Sequence, residues 1–180
     1  MAITLITAAT LDGDTNAAFT SSIDSTYKLY MFLWNAHFDT DERGFMWNCS
    51  IDGGSNYNVA KTSPFYRAYN TQSSGGTDEG GALAYDSDYD AAQTTAYIDL
   101  NMNFGNGSDQ AGGGRFYLFN PSNTTYVKHY LSFANNFTAD DLSTLVGVGG
   151  YANTTSAINA VKFSASGGTM YGFVKMYGVG

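Results

Sequence analysis

Residues 96–104 read AYIDLNMNF, and this short stretch decides the fold class. Apolar side chains recur at every second position, namely Ala96, Ile98, Leu100, Met102 and Phe104. Such alternation is typical of a β-strand with one buried face, because successive side chains of a strand point to opposite sides of the sheet. The segment therefore predicts a strand, and its pattern recurs along the chain.

Further strand candidates follow the same reasoning. Alternation continues in residues 45–51 and 127–133, and YKLYMFLW at 27–34 is apolar on both phases. Shorter candidates are 3–7, 64–69, 116–119, 145–148, 160–165 and 170–177. Only residues 138–142 resemble a helix start, with room for a single turn. About ten short strands with almost no helix predict one all-β domain over residues 1–180, an antiparallel, jelly-roll-like β-sandwich of two sheets.

The composition limits the partners. The chain has 180 residues, of which 16% are aromatic and only 13% charged, with a net charge of −8. Nucleic acid and anionic membranes attract clustered Lys and Arg, whereas the eight cations here are scattered. We therefore expect no nucleic-acid partner and no membrane partner. The first residues, MAITLITAATLDG, lack the basic and apolar regions of a signal peptide, which predicts a protein that is made in the host cytoplasm and not exported by the secretory route.

No sequence motif predicts catalysis. The chain has no nucleophile elbow, phosphate-binding loop or zinc-protease motif, so we expect that it is not an enzyme. Cys49 is the only cysteine and occupies an apolar phase, which predicts a core thiol. In SIDGGSNY, residues 50–57, Asp52 precedes two glycines at the end of a strand, so we interpret it as a turn residue and not as a metal ligand.

One segment stands out by its composition. Residues 71–92, TQSSGGTDEGGALAYDSDYDAA, predict a long Gly- and Asp-rich surface loop. The spacing of Asp86, Asp88 and Asp90 matches the first ligand positions of an EF-hand calcium loop. The segment lacks the glycine and the final glutamate that such a loop requires. They are weak candidates for a calcium site, and no other cofactor is expected.

Tyrosines on strand phases that could face outward are candidates for binding a protein partner or a glycan, because tyrosine is rigid and amphipathic. These candidates are Tyr85, Tyr89, Tyr97, Tyr117, Tyr126 and Tyr130. The phase alone does not say which face is buried, so a core role stays open for each.

Three segments together resemble a known family. They are residues 21–57, ending in CSIDGGSNY, residues 114–125, GRFYLFNPSNTT, and residues 156–179, SAINAVKFSASGGTMYGFVKMYGV. In this order they resemble a virion-protein domain that recurs in tailed phages of aquatic bacteria. The hairpin at residues 164–169 is shorter than the family pattern. The resemblance implies a β-sandwich component of the particle and carries over no catalytic residue.

We therefore expect a non-enzymatic protein on the exterior of a phage virion, either a capsid decoration or an accessory spike or tail-fibre head. Its partners would be other virion proteins and further copies of itself, as a homo-oligomer. The first eleven residues could add a strand to a neighbour through Ile3, Leu5 and Ile6. The alternative is a glycan-binding adhesin for host attachment, centred on the loop at residues 71–92.

Overall fold

A computed structural model of the chain describes residues 2–71 and 81–180. The described residues form fourteen β-strands. They are β1 (Ile3–Asp14), β2 (Asn16–Phe19), β3 (Leu29–Phe38), β4 (Arg43–Ser50), β5 (Lys61–Ser63), β6 (Phe65–Thr71), β7 (Gly81–Tyr85), β8 (Ala91–Thr94), β9 (Ile98–Phe104), β10 (Gly112–Phe119), β11 (Lys128–Phe137), β12 (Leu142–Ala152), β13 (Ala160–Ala165) and β14 (Met170–Val179).

The strands form two antiparallel sheets of unequal size. The large sheet has the order β1-β14-β3-β10-β11-β12, and β12 continues to β5 and β8 and, separately, to β6 and β7. The small sheet has the order β2-β13-β4-β9. Strands that are distant in sequence are neighbours, because β14 lies between β1 and β3 and β13 lies between β2 and β4. The first and last strands are therefore paired.

The predicted all-β, two-sheet antiparallel fold is confirmed. Each of the ten predicted strands is present, and β2, β5, β7 and β8 are additional short strands. Residues 138–142, the one segment that resembles a helix start, form the tight turn between β11 and β12, which agrees with the expectation of almost no helix. Thr138 makes the hydrogen bonds that suggested a helix cap. Its hydroxyl accepts from the Leu142 amide at 3.2 Å, and its own amide donates to the Leu142 carbonyl at 2.9 Å.

Aromatic rings fill the space between the two sheets. The Trp47 ring of the small sheet lies 4.5 Å from Phe116 and 4.6 Å from Tyr130 of the large sheet, measured between ring centroids. Phe32 and Phe163 meet across the same gap at 5.1 Å. All five side chains are at most 2% exposed. Aromatic residues bury the largest apolar areas and gain from tilted ring contacts, so this cluster is the main stabilising element.

The structure shows which face of β11 is buried, which the sequence alone leaves open. Leu131 and His129 point away from the core, and the residues that face inward are Lys128, Tyr130 and Ser132. The buried Lys128 ammonium is tolerated because it donates to two backbone carbonyls at 2.9 and 3.0 Å. The sequence does not decide the buried face because apolar and polar residues occur on both phases of the strand.

The predicted loop at residues 71–92 is only partly a loop. Residues 72–80 lie outside the described residues, and Thr71 belongs to β6. Strand β7 pairs with β6 through Tyr85 and Tyr66, and β8 begins at Ala91. Strand β7 has no alternation of apolar and polar residues, so the sequence does not indicate this strand.

The turn at residues 50–57 has the predicted form. Gly53 and Gly54 have positive φ angles of 74° and 90°, a conformation that glycine adopts readily. The Asp52 carboxylate accepts hydrogen bonds from the Ser50 hydroxyl at 2.6 Å and from the Asn56 amide at 2.9 Å. These donors lower the pKa of Asp52 to about 2. Asp52 is therefore a turn residue, as predicted.

Two buried groups carry perturbed pKa values. Cys49 is fully buried, which confirms a core thiol, and burial raises its pKa to about 12. Asp99 on β9 is partly buried, and its carboxyl group lies where a Cβ of Gly44 would be. The carboxyl group makes no hydrogen bond or ion pair within the described residues. Burial raises the pKa of Asp99 to about 6. An uncompensated carboxylate of this kind destabilises the folded state near neutral pH.

Candidate functional site

The outward-facing side of the large sheet carries many apolar side chains. We call it the outer face and define it by the outward-pointing residues of β14, β3, β10, β11 and β12. The strand register aligns these residues in rows across the sheet. One row consists of Lys175, Leu33, Arg115, Phe133 and Gly147. The next row consists of Tyr177, Met31, Tyr117, Leu131 and Gly149.

Several side chains of the outer face are strongly exposed for apolar residues. Leu145 is 50% exposed and Leu131 is 37% exposed, while Leu33 and Phe133 are half-buried. Leu33, Phe133 and Leu145 line a shallow depression of about 330 Å³ whose floor includes Gly113. Leucines scattered singly on a surface need no explanation, but a contiguous apolar patch usually marks an interaction site.

The charge of the outer face is opposite in sign to that of the whole protein. Its five strands contribute two cations, Lys175 and Arg115, and no carboxylate. Both cations lie over aromatic rings, the Lys175 ammonium 4.6 Å from the centroid of Phe173 and the Arg115 guanidinium 5.8 Å from that of Phe133. Cations in such positions gain from the ring electrons. The face is thus apolar and weakly cationic on a chain of net charge −8.

Glycines keep one part of the outer face flat. A Cβ on Gly147 would overlap the ring of Tyr66, so the glycine lets this ring lie against the backbone of β12. A Cβ on Gly149 would come within 2.9 Å of Leu131. Side chains can therefore lie along the sheet, and a flat surface of this kind suits contact with another flat surface.

The six candidate tyrosines do not form one site. Tyr117 lies on the outer face, Tyr126 is 69% exposed at its end, and Tyr85 is 60% exposed on β7. The prediction that Tyr130 is a binding residue is wrong, because this side chain is 2% exposed and lies in the aromatic core, where it cannot bind a partner. Its burial raises the pKa of its hydroxyl.

The other two tyrosines are less available than expected. Tyr89 is half-buried, its ring lies 5.1 Å from Phe65, and burial raises its pKa. Tyr97 is also half-buried, with a pKa raised by burial. Neither presents an open ring face as Tyr126 does.

The three candidate calcium ligands have separate hydrogen-bonding roles. Asp86 forms an ion pair with Arg67 at 2.9 Å, and one of its oxygens accepts from the Asp88 amide at 3.2 Å. The Tyr85 hydroxyl donates to Asp90. Within residues 2–71 and 81–180, no group of three or more acidic, histidine or cysteine side chains is placed to hold a metal ion.

The N-terminal segment is a strand of the protein's own sheet. Strand β1 pairs with β14 from Ile3 to Asp14, and its other edge has no described neighbour. Ile3 is 60% and Leu5 53% exposed, whereas Ile6 packs against the core. The segment is therefore not a free arm, but its open edge could still accept a strand from a neighbour.

The sequence did not reveal the outer face as a single surface. Its residues come from five separate segments, and only the strand order brings them together. The one sequence feature that points to the outer face is YKLYMFLW at residues 27–34, which is apolar on both phases. This pattern predicts either a strand covered on both sides or one whose outer side meets a partner. One side of this strand packs against the small sheet, as in the contact of Phe32 with Phe163, and on the other side Leu33 is half-buried.

No protein-family model matches the chain, and no curated protein matches it. The resemblance of the three segments to a phage virion domain therefore stays a prediction. In the described part of the chain, no helix is long and apolar enough to cross a membrane.

Proposed function

We propose that the protein is a non-enzymatic structural component on the exterior of a phage virion and that it attaches to the particle through the outer face. The observation that supports this proposal most strongly is the apolar, carboxylate-free surface that β14, β3, β10, β11 and β12 leave exposed. A protein that works alone has no evident use for such a surface, whereas an assembly component needs one.

The size of the outer face suits a stable interface. Five strands at a spacing of about 4.8 Å, each with about eight residues at 3.4 Å, give an area of roughly 650 Å². A standard protein–protein interface buries about 800 Å² per partner. Including Tyr66 on the adjacent β6 extends the face toward this value.

The charges of the outer face indicate the kind of partner. Arg115 and Lys175 are both cationic, so two copies of the face placed against each other would oppose like charges. A flat particle protein with apolar side chains and a few carboxylates fits better. We assign the outer face to such a neighbour, and the open edge of β1 to contact between copies of this chain in the expected homo-oligomer.

The resemblance of residues 21–57, 114–125 and 156–179 to a phage virion domain supports the proposal independently of the outer face. A capsid decoration and an accessory spike or fibre head both fit this architecture. The alternative, a glycan-binding module at residues 71–92, gains little from the structure because Tyr89 is half-buried and Asp86 is paired with Arg67.

The proposed function is tested on purified particles of the phage that encodes the chain. We expect the protein among the particle proteins after gradient purification, and we expect antibodies against it to label the outside of intact particles in electron micrographs. The proposal is overturned if the protein is expressed during infection but is absent from the particles, or if antibodies reach it only after disruption of the particles.

A further inference from the structure

A cleft of about 550 Å³ lies at the end of the large sheet, beside the turn that joins β10 to β11. Two exposed aromatic rings line it, Tyr126 at 69% and Phe119 at 40% exposure. His129 and Thr155 line the remaining wall. The volume is within the range of about 300–1,000 Å³ that ligand pockets have. From this cleft we infer a binding site for a neutral, pyranose-containing glycan, formed by Tyr126, Phe119 and Asn120.

The polar groups of the cleft are available to a ligand. Several side-chain polar groups make no hydrogen bond within the described residues, namely the side-chain amide of Asn120, the hydroxyls of Thr125, Thr155 and Tyr126 and the ring nitrogens of His129. Amide and hydroxyl groups can both donate and accept, as the hydroxyls of a sugar do. Among the residues that the structure describes, no Asp, Glu, Lys or Arg lines the cleft, which favours a neutral ligand.

The aromatic rings supply the second element of sugar recognition. One face of a pyranose ring carries C–H groups and packs against an aromatic ring, while its hydroxyls need hydrogen-bonding partners at the edge. Tyr126 offers an open ring face together with a hydroxyl. A cleft that combines exposed rings with uncommitted neutral polar groups matches this chemistry better than that of a purely apolar ligand.

The turn is held in its conformation without a ligand. The Asn123 side-chain oxygen accepts from the amides of Thr125 at 2.8 Å and Tyr126 at 2.7 Å. The buried Lys128 ammonium donates to the Tyr126 carbonyl at 2.9 Å and to the Thr154 carbonyl at 3.0 Å. Lys128 thus links the segment that carries Tyr126 to the segment that carries Thr155, and both residues line the cleft. A preformed site loses little conformational entropy when a ligand binds.

The test uses isolated protein, so its outcome does not depend on attachment to a particle. Calorimetric titration with neutral oligosaccharides of glucose, galactose, mannose, rhamnose and N-acetylglucosamine identifies the preferred sugar. Parallel titrations with the free monosaccharides and with purified surface polysaccharide of the host distinguish a small soluble sugar from a cell-surface glycan as the source. We expect measurable binding to at least one member of the panel and a loss of affinity of about ten-fold or more in Tyr126→Ala.

Tyr171→Ala is the matched control, because Tyr171 is 40% exposed and lies on β14, away from this cleft. This variant is expected to bind as the unmodified protein does. The inference is wrong if no sugar of the panel binds at millimolar concentration, or if Tyr126→Ala binds as tightly as the unmodified chain while its circular dichroism spectrum is unchanged. The proposed virion function would survive either result.

Discussion

Replacing Leu131 and Leu145 together by glutamate is expected to abolish attachment of the protein to the particle. Both side chains are exposed, at 37% and 50%, and they lie on neighbouring strands of the outer face. In the complex each glutamate would be buried against an apolar partner that also carries carboxylates. Two such substitutions at the centre of an interface weaken binding by about 100-fold or more.

The measurement is co-sedimentation of the protein with particles assembled in cells that supply only the double variant. The free energy of unfolding should change by less than about 1 kcal/mol, because both positions are on the surface. Ile51→Glu is the matched control, since Ile51 is 43% exposed but lies at the turn of residues 50–57. Normal attachment of the double variant would contradict the proposal that the outer face is the assembly surface.

Asp99→Asn is expected to stabilise the folded protein near neutral pH. The pKa of Asp99 is about 6 in the folded protein and 3.8 without the burial. This difference corresponds to a loss of about 3 kcal/mol in the free energy of unfolding when the carboxyl group is ionised. Between pH 3.8 and about 6, the folded protein retains a proton that the unfolded chain has lost. The free energy of unfolding of the unmodified protein therefore falls as the pH rises through this window and stays lowered above it.

Urea unfolding at pH 4 and at pH 8 measures this effect. We expect Asp99→Asn to be more stable than the unmodified protein by roughly 1 to 3 kcal/mol at pH 8, with little difference at pH 4. Asp109→Asn serves as the control, because it removes a carboxylate that is exposed on the surface and not buried. An equal gain in stability at both pH values would show that the burial of the Asp99 charge is not the cause.

The fold class could be predicted because several strands have one strictly apolar face. Leu100, Met102 and Phe104 alternate with polar residues and are all buried, as their pattern indicates. The short strands cannot be predicted where the chain has no such pattern, as in β7, which reads GALAY. Pairing with β6 forms this strand, and pairing of this kind is not visible in a local stretch of sequence.

The candidate site could be predicted only in part. Tyr126 is exposed, as expected, and Tyr117 is half-buried on the outer face, but Tyr130 on the same strand phase as Lys128 is in the core. A buried lysine is costly unless it is paired, and the sequence gives no sign of the two carbonyls that Lys128 reaches. The outer face depends on the strand order, which brings β14 from the end of the chain beside β3.

The most direct test of the outer face as an assembly surface is hydroxyl-radical footprinting of the protein, free and on purified particles. Leu131, Leu145 and Tyr117 should be oxidised in the free protein and strongly protected on the particle, because a neighbouring protein covers them. Tyr126, at the end of the sheet, should be oxidised in both. Equal oxidation of Leu131 and Leu145 in the free and particle-bound protein would contradict the proposal that the outer face holds this protein to the virion.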